Sequence, residues 1–453
     1  MSLTLQIAEK AVALDADRFP ADALKWAKDA IADMVGCALL GANTETTEAV
    51  ILPEYSEGPC LVLGRRERLR PLDAAFVNGT SGHALDYDDT SKSLSGHPTV
   101  IIIPGLLALA ERIHASGRDF VNAYIVGVET ATRFARGVNF QHYEKGWHPT
   151  ATLGIFGAAA AAARLLRLDA GRTASALAIS ASLASGLKAN FGTSTKPMHA
   201  GIAARNGLFA ALMAEQGVAG GTTALEHPQG FLEVFNGAGN YNTARMLENW
   251  AEPLDLLAPG ISIKKYPCVY SVHGAIDAAI AMANEELTDT RAVTDVLVRM
   301  HPRRLLPHVR NPATSALNAK FSLPYAVARG LVNRAVTLDH FEDAALHDPE
   351  VMRVMGLIRM EPHDDDANDY GAEVRVTLAD GRVLTHAVPA PLGRGPETPL
   401  PAHMLRAKFL DCAGRTLTSA AGDSVFDMLM ALDTVPDVKM LTDEIAAGTM
   451  VAA

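Results

Sequence analysis

Residues 154–168, GIFGAAAAAARLLRL, constrain the fold more than any other stretch. Six alanines run between Gly157 and Arg164, and alanine is the strongest helix former. A helix with so small a surface lets neighbouring helices approach closely. The segment ALAISASLASGL has the same character. Earlier, ADALKWAKDAIADMVGCALLGA sets Leu24, Ala27, Ile31, Met34 and Ala38 at helical spacing and stops near Gly41. TVIIIPGLLALAERI has an apolar face, and its proline, Pro104, suits a first turn. This part of the chain is expected to be all helical.

The pattern changes after Pro267. VTDVLVRMH alternates and is rich in valine, as a strand requires. AEVRVTLADGRVLTHAV reads as a hairpin, with Asp380-Gly381 at a tight type I′ turn. HGAIDAAIAMANEEL and LPYAVARGLVNRAV are helical around these strands. PAPLGRGPETPLP reads as a linker, and AHMLRAKFLDCAGRTL returns to helix. The expected architecture is mainly α. A discontinuous all-α domain takes residues 1–265 and 400–453, and a smaller α+β domain takes 266–399.

The 453-residue chain is long enough for a large core. Its formal net charge of -11 argues against nucleic acid or an anionic membrane as partner, though not against a small anionic substrate. Cys37, Cys60, Cys268 and Cys412 form no C-x-x-C pair, which suggests reduced thiols and a cytoplasmic setting. MSLTLQIAEKAVAL lacks the features of a secretion signal. The apolar runs are shorter than a bilayer span.

The most distinctive chemistry lies in VNGTSGHALDYDDT, residues 77–90. Continued as a helix, it places Phe76, Gly79, His83, Asp86 and Thr90 on one face and turns Asp88 and Asp89 away. Gly79 and Gly82 invite close approach by a backbone or a ligand. Three readings remain open: a Mg²⁺ or Ca²⁺ site at Asp86, Asp88 and Asp89, a polar helix end, or a catalytic face with His97-Pro98 beyond it. The loop glycine and distal glutamate of a Ca²⁺ loop are missing.

Further polar residues fall in segments punctuated by Gly and Pro, where loops carry function. HYEKGWHPTATLGIFG holds His142, Tyr143, Trp147 and His148, with Thr150 as a possible helix cap. NFGTSTKPMHAGIAARNG holds Lys196 and His199 between Gly192 and Gly201. SIKKYPCVYSVHGAIDA adds Lys264, Lys265, Tyr266 and His273, and AKFSLPYAVA adds Lys320, Ser322 and Tyr325. Taken singly, a histidine of this kind is more often structural and a lysine more often a solvated charge than functional.

As a set, AFVNGTSGHALDYDDT, GHPTVIIIPGLLALAE, GWHPTATLGIFGA, GTSTKPMHAGIAARNG, KKYPCVYSVHGAIDA, KFSLPYAVA and PLPAHMLRAKF resemble the MmgE/PrpD family over nearly the whole chain. The resemblance implies a large all-α domain, a smaller α+β lid domain and a homodimer. It implies action on small di- or tricarboxylates without metal or organic cofactor. Such enzymes include 2-methylcitrate dehydratase, cis-aconitate decarboxylase and iminodisuccinate epimerase. A methylcitrate dehydratase-like lyase is the first expectation. HY…GWHPT and NFGT-x-TKPMH look closer to the epimerase type, the close alternative. The implied catalytic residues are Asp86, His97, Tyr143, His148, Lys196, His273 and Tyr325. Thr90, His199 and Lys265 are implied substrate contacts. The segment between Thr90 and His97 is one residue longer than in the decarboxylase type. Alternatives from other classes are a metal-dependent enzyme using the aspartates at 86–89 and a non-catalytic helical protein.

Overall fold

A computed structural model describes residues 1–363 and 369–450. They form two compact units, residues 1–263 with 401–453 and residues 264–400.

The first unit is helical. Its main helices before residue 263 are α1 (Ala21–Gly41), α2 (Pro71–His83), α3 (Thr99–Ile113), α4 (Gly117–Glu144), α5 (Gly154–Leu165), α6 (Ala170–Leu183) and α7 (Thr195–Glu215). Between α2 and α3, the short strand β1 (Thr90–Ser91) pairs antiparallel with β2 (Ile261–Ser262). The alanine run Ala158–Ala163 in α5 is buried on every side, as expected of a helix at the centre of a large unit. The α2–α7 contact is the closest approach that bears on the site. A Cβ on Gly79 would lie 2.8 Å from the Gly201 Cα, and one on Gly201 would lie 2.2 Å from the Phe76 carbonyl oxygen. The small residues therefore admit a neighbouring backbone. Gly82 likewise faces Val100 and Met34 side chains.

The second unit contains α8 (His273–Glu285), β3 (Val293–Met300), α9 (Leu323–Asn333), β4 (Ile358–Pro362), β5 (Ala372–Leu378) and β6 (Val383–Val388). The sheet order is β4-β3-β5-β6. Only the β3–β4 pairing is parallel. Val296, Val298, Val374 and Val376 join Ile276, Met282, Ala326 and Leu331 in one apolar core. The chain then returns to the first unit with α10 (Ala402–Ala413), α11 (Ser419–Met430) and α12 (Lys439–Gly448). Among the described residues no helix is long and apolar enough to cross a membrane. All four cysteines are buried and free.

Three local expectations are corrected. Pro104 lies well inside α3, and Pro98 is the cap. The Pro104 ring therefore removes one backbone hydrogen bond inside the helix rather than occupying the free first turn. The hairpin turn is not type I′. The Gly381 N–H donates to the Leu378 carbonyl, and the Leu378 N–H to the Arg382 carbonyl, closing a three-residue loop. Gly381 alone is left-handed there, with φ 86°, whereas a type I′ turn needs two such residues. Finally, α2 ends at His83. Asp86 and Thr90 therefore do not continue a helical face.

Gly201→Ala should destabilise the protein by about 1–3 kcal/mol, because the added methyl meets backbone that cannot rotate away. The midpoint of urea unfolding checks this.

Candidate active site

The segment after α2 changes direction at Asp86, a non-glycine residue at φ 55°. Lys196, in the first turn of α7, donates from Nζ to Asp86 Oδ1 at 2.6 Å. Next along the chain, the Tyr87 carbonyl accepts from Lys408 Nζ at 2.9 Å. That ammonium lies 2.5 Å from Asp33 Oδ1 on α1 and 3.8 Å from the Tyr87 ring centre. Burial is the largest single influence and opposes the charge on Lys408, but Asp33 and its other neighbours together raise the pKa of the ammonium. Asp89 bonds to the Thr99 hydroxyl, which shares a 2.6 Å hydrogen bond with Tyr124. Burial pushes the Asp89 carboxyl well up. Thr90 donates to the Gly96 carbonyl at 3.3 Å.

Asp88 does not point elsewhere. It is fully buried and faces two imidazoles. His83 Nδ1 lies 3.0 and 2.9 Å from its oxygens, and His97 Nδ1 lies 3.1 Å from Oδ2. The sequence reading set Asp88 aside because it assumed an unbroken helix. The turn at Asp86 brings Asp88 back under His83. Burial works against the Asp88 charge, yet His83 and His97 hold the carboxyl well below its usual range. Burial lowers His83 to about 4, with Asp88 opposing in part.

His97 stands at the start of α3, and its backbone N–H donates to Thr150 Oγ1 at 3.2 Å. Thr150 is therefore not a helix cap. Thr150 lies inside a short helix, Pro149–Thr152, with His148 at its N-cap position, and the Thr150 hydroxyl serves His97 instead. The His148 N–H donates to the Gly186 carbonyl at 3.0 Å. Its Nδ1 lies 3.2 Å from His199 Nδ1 on α7, and the Phe191 ring stands edge-on at 4.9 Å. Burial, then the charges of His83 and Lys196, lower His148 well below the usual histidine range. Burial and Lys196 also lower His199. The first unit thus gathers Asp86, His97, His148, Lys196 and His199, together with His83 and Asp88. His83 is five residues before Asp88, but sequence spacing does not show their bond.

The remaining candidates have other surroundings. Tyr143 is half-buried, with the Lys188 ammonium 3.3 Å from its ring centre. His142 is buried between Asn236 Oδ1 at 2.8 Å and Thr152 Oγ1 at 2.7 Å. In the second unit, Lys265 donates to Asp277 at 2.8 Å, beside the Tyr266 hydroxyl. Buried His273 opens α8 with Nε2 3.4 Å from the Cys268 carbonyl oxygen. The Tyr325 hydroxyl donates to the His340 carbonyl and accepts from Arg329 Nε at 2.9 Å.

The three-aspartate metal set does not converge, because Asp89 is bound to Thr99. A different grouping, His83, Asp86, Asp88 and His97, brings one donor atom each within 4.8 Å of the others. Two imidazoles with two carboxylates suit a zinc-like ion better than Mg²⁺ or Ca²⁺. The residues fit such an ion poorly, because Lys196 already places a cation on Asp86.

Models of the MmgE/PrpD N-terminal and C-terminal domains match residues 5–244 and 266–432. The chain belongs to the MmgE/PrpD family. Its similar relatives include cis-aconitate decarboxylase of Homo sapiens, 31% identical over 92% of this chain and 89% of the relative. The Mus musculus enzyme of that name is 30% identical over 92% of this chain and 88% of the relative. That of Aspergillus terreus is 28% identical over 97% and 95%. Membership and these relatives support a lyase of the family.

Two measurements follow from the buried charges. Lys408→Met leaves Asp33 without its buried cation and should cost about 3–5 kcal/mol, seen as a lowered thermal midpoint. His83 and His142 titrate near 4 when folded, against 6.5 ordinarily. Their stabilisation is complete above pH 6.5 and is lost as pH falls towards 4, at up to ~1.4 kcal/mol per pH unit for each. His142→Gln should make that decline shallower in denaturant titrations, and an unchanged slope would count against the assignment.

Proposed function

We propose that the protein is a cofactor-independent lyase that moves a proton at the carbon next to a carboxylate of a small di- or tricarboxylate. The observation that carries this is the convergence of buried Lys196, His148 and His199 with half-buried His97 beside Asp86. Breaking a bond at that carbon leaves an electron pair that spreads onto carboxylate oxygens. A fixed cation in a water-poor site stabilises such charge. Lys196 is that cation, and Asp86 holds it in place. Thr90 and His199 are substrate contacts in this reading. Neutral His148 is able to accept a proton.

Three finer reactions use these groups differently. Loss of CO₂ needs one proton delivered to the carbanion. Loss of water also needs an acid at the departing hydroxyl. Epimerisation needs a donor and an acceptor on opposite faces of the carbon. The named relatives favour loss of CO₂ from a cis-aconitate-like acid. We therefore rank decarboxylation ahead of the methylcitrate-type dehydration, which came first only as the family's commonest named activity. The motif HY…GWHPT keeps epimerisation as a second reading. Roles for Tyr143, Lys265, His273 and Tyr325 are proposals of the same kind. The Tyr325 hydroxyl is already engaged, so Tyr325→Phe should cost stability as well as any rate. We propose also a homodimer, tested by sedimentation, and a cytoplasmic setting in keeping with the free thiols.

The test is incubation with citrate-like, aconitate-like and iminodisuccinate-like acids in D₂O, followed by NMR. One acid should lose CO₂ or water, or gain deuterium at the α carbon. Lys196→Ala should slow that reaction by about 10²-fold or more. An unchanged rate in Lys196→Ala would remove the proposed role of the cation.

A further inference from the structure

We propose that Asp88 is a positioning residue that fixes the proton of His97 on Nδ1, leaving the Nε2 lone pair to exchange a proton with the substrate carbon; this rests on the reaction proposed above. Asp88 is enclosed; His83 Nδ1 donates to its carboxylate at 2.9 Å, while His97 Nδ1 lies 3.1 Å from Oδ2 as an ion-pair approach that is not aligned as a hydrogen bond. An ionised carboxylate only accepts hydrogen bonds, so each nitrogen facing it carries hydrogen. In the neutral form of a ring so held, the single N–H sits on Nδ1 and Nε2 holds a lone pair.

His83 agrees with this on independent grounds. Its Nε2 is buried without a hydrogen-bond partner among the described residues. A buried acceptor left unused is tolerated better than an orphaned N–H. His83 therefore acts as a second neutral strut on Asp88, with its ring edge-on to His97 at 4.5 Å. The backbone of His97 is tied to Thr150. His97 Nε2 lies 3.8 Å from the Asp86 oxygen that receives Lys196. The basic nitrogen is thus beside the cation that would hold the developing carboxylate charge.

In deprotonation, the Cα–H bond breaks and the proton goes to His97 Nε2. The electron pair moves into the carboxylate beside Lys196. In decarboxylation, the bond to the departing carboxyl breaks and CO₂ leaves. The pair left on carbon then takes a proton from the Nε2–H of an imidazolium. In both directions, Asp88 stabilises the imidazolium through Nδ1–H, as the aspartate of a serine-hydrolase triad does for its histidine.

The test begins with the unaltered protein labelled with ¹⁵N-histidine. Long-range ¹H–¹⁵N spectra should show His97 in its Nδ1–H tautomer. An Nε2–H tautomer overturns the proposal without recourse to a variant. Asp88→Asn offers an amide donor to Nδ1 and should move His97 towards Nε2–H. It should lower kcat by about 10²-fold or more with little change in KM, and Asp88→Glu should restore part of kcat. An Asp88→Asn protein that keeps both the tautomer and kcat overturns the proposal. If the unaltered protein neither releases CO₂ or water from any acid of the panel nor exchanges an α-proton, the reaction fails and the role of Nε2 fails with it. The Nδ1–H tautomer would then still establish the hold of Asp88 on His97.

Discussion

Lys408 brings its charge into the interior of the first unit and meets Asp33 and the Tyr87 carbonyl there. An ammonium buried alone costs several kcal/mol, so this geometry persists only because both partners are in place. Residues 84–89 have neither helix nor strand to order them. Side-chain tethers do so instead, among them Lys408 on Tyr87, Lys196 on Asp86, His83 on Asp88, and Thr99 with Asp89. Every acidic group of the candidate site hangs from this short stretch, and its placement follows from contacts made elsewhere.

The same economy governs charge. Lys196 and Asp86 largely cancel, burial favours neutral His83 and His148, and Asp88 keeps its negative charge. A carboxylate substrate adds more negative charge and raises the proton affinity of the imidazoles around it. Binding of such a substrate therefore favours the protonated forms of these histidines. Uptake of a proton on binding is a direct expression of that coupling.

Much of the fold was readable because periodicity is a local signal. The boundaries of α1 and α10 and the strands of the hairpin follow from residues close in sequence. The turn at Asp86 was not readable, since no glycine or proline marks it and α2 was continued through it. Asp88 was misplaced as a result. Gly79 and Gly201 signalled close approach, but only the packed helices identify backbone as what approaches. The family motifs pointed to His97, His148, Lys196 and His199. They did not reveal His83 on Asp88 or Lys408 on Tyr87, because those bonds depend on three-dimensional closure.

The discontinuity of the first unit has a consequence for synthesis. Lys408 and Tyr87 are 321 positions apart in the chain. During translation, Asp33 and the 84–89 segment leave the ribosome long before the residue that ties them together. The nascent helices can already pack through their alanine and glycine faces, but the segment carrying Asp86 and Asp88 lacks one anchor until the whole second unit has been made. Contacts of such separation form late and slowly. The carboxylates of the candidate site are thus fully tethered only after Lys408 has been made.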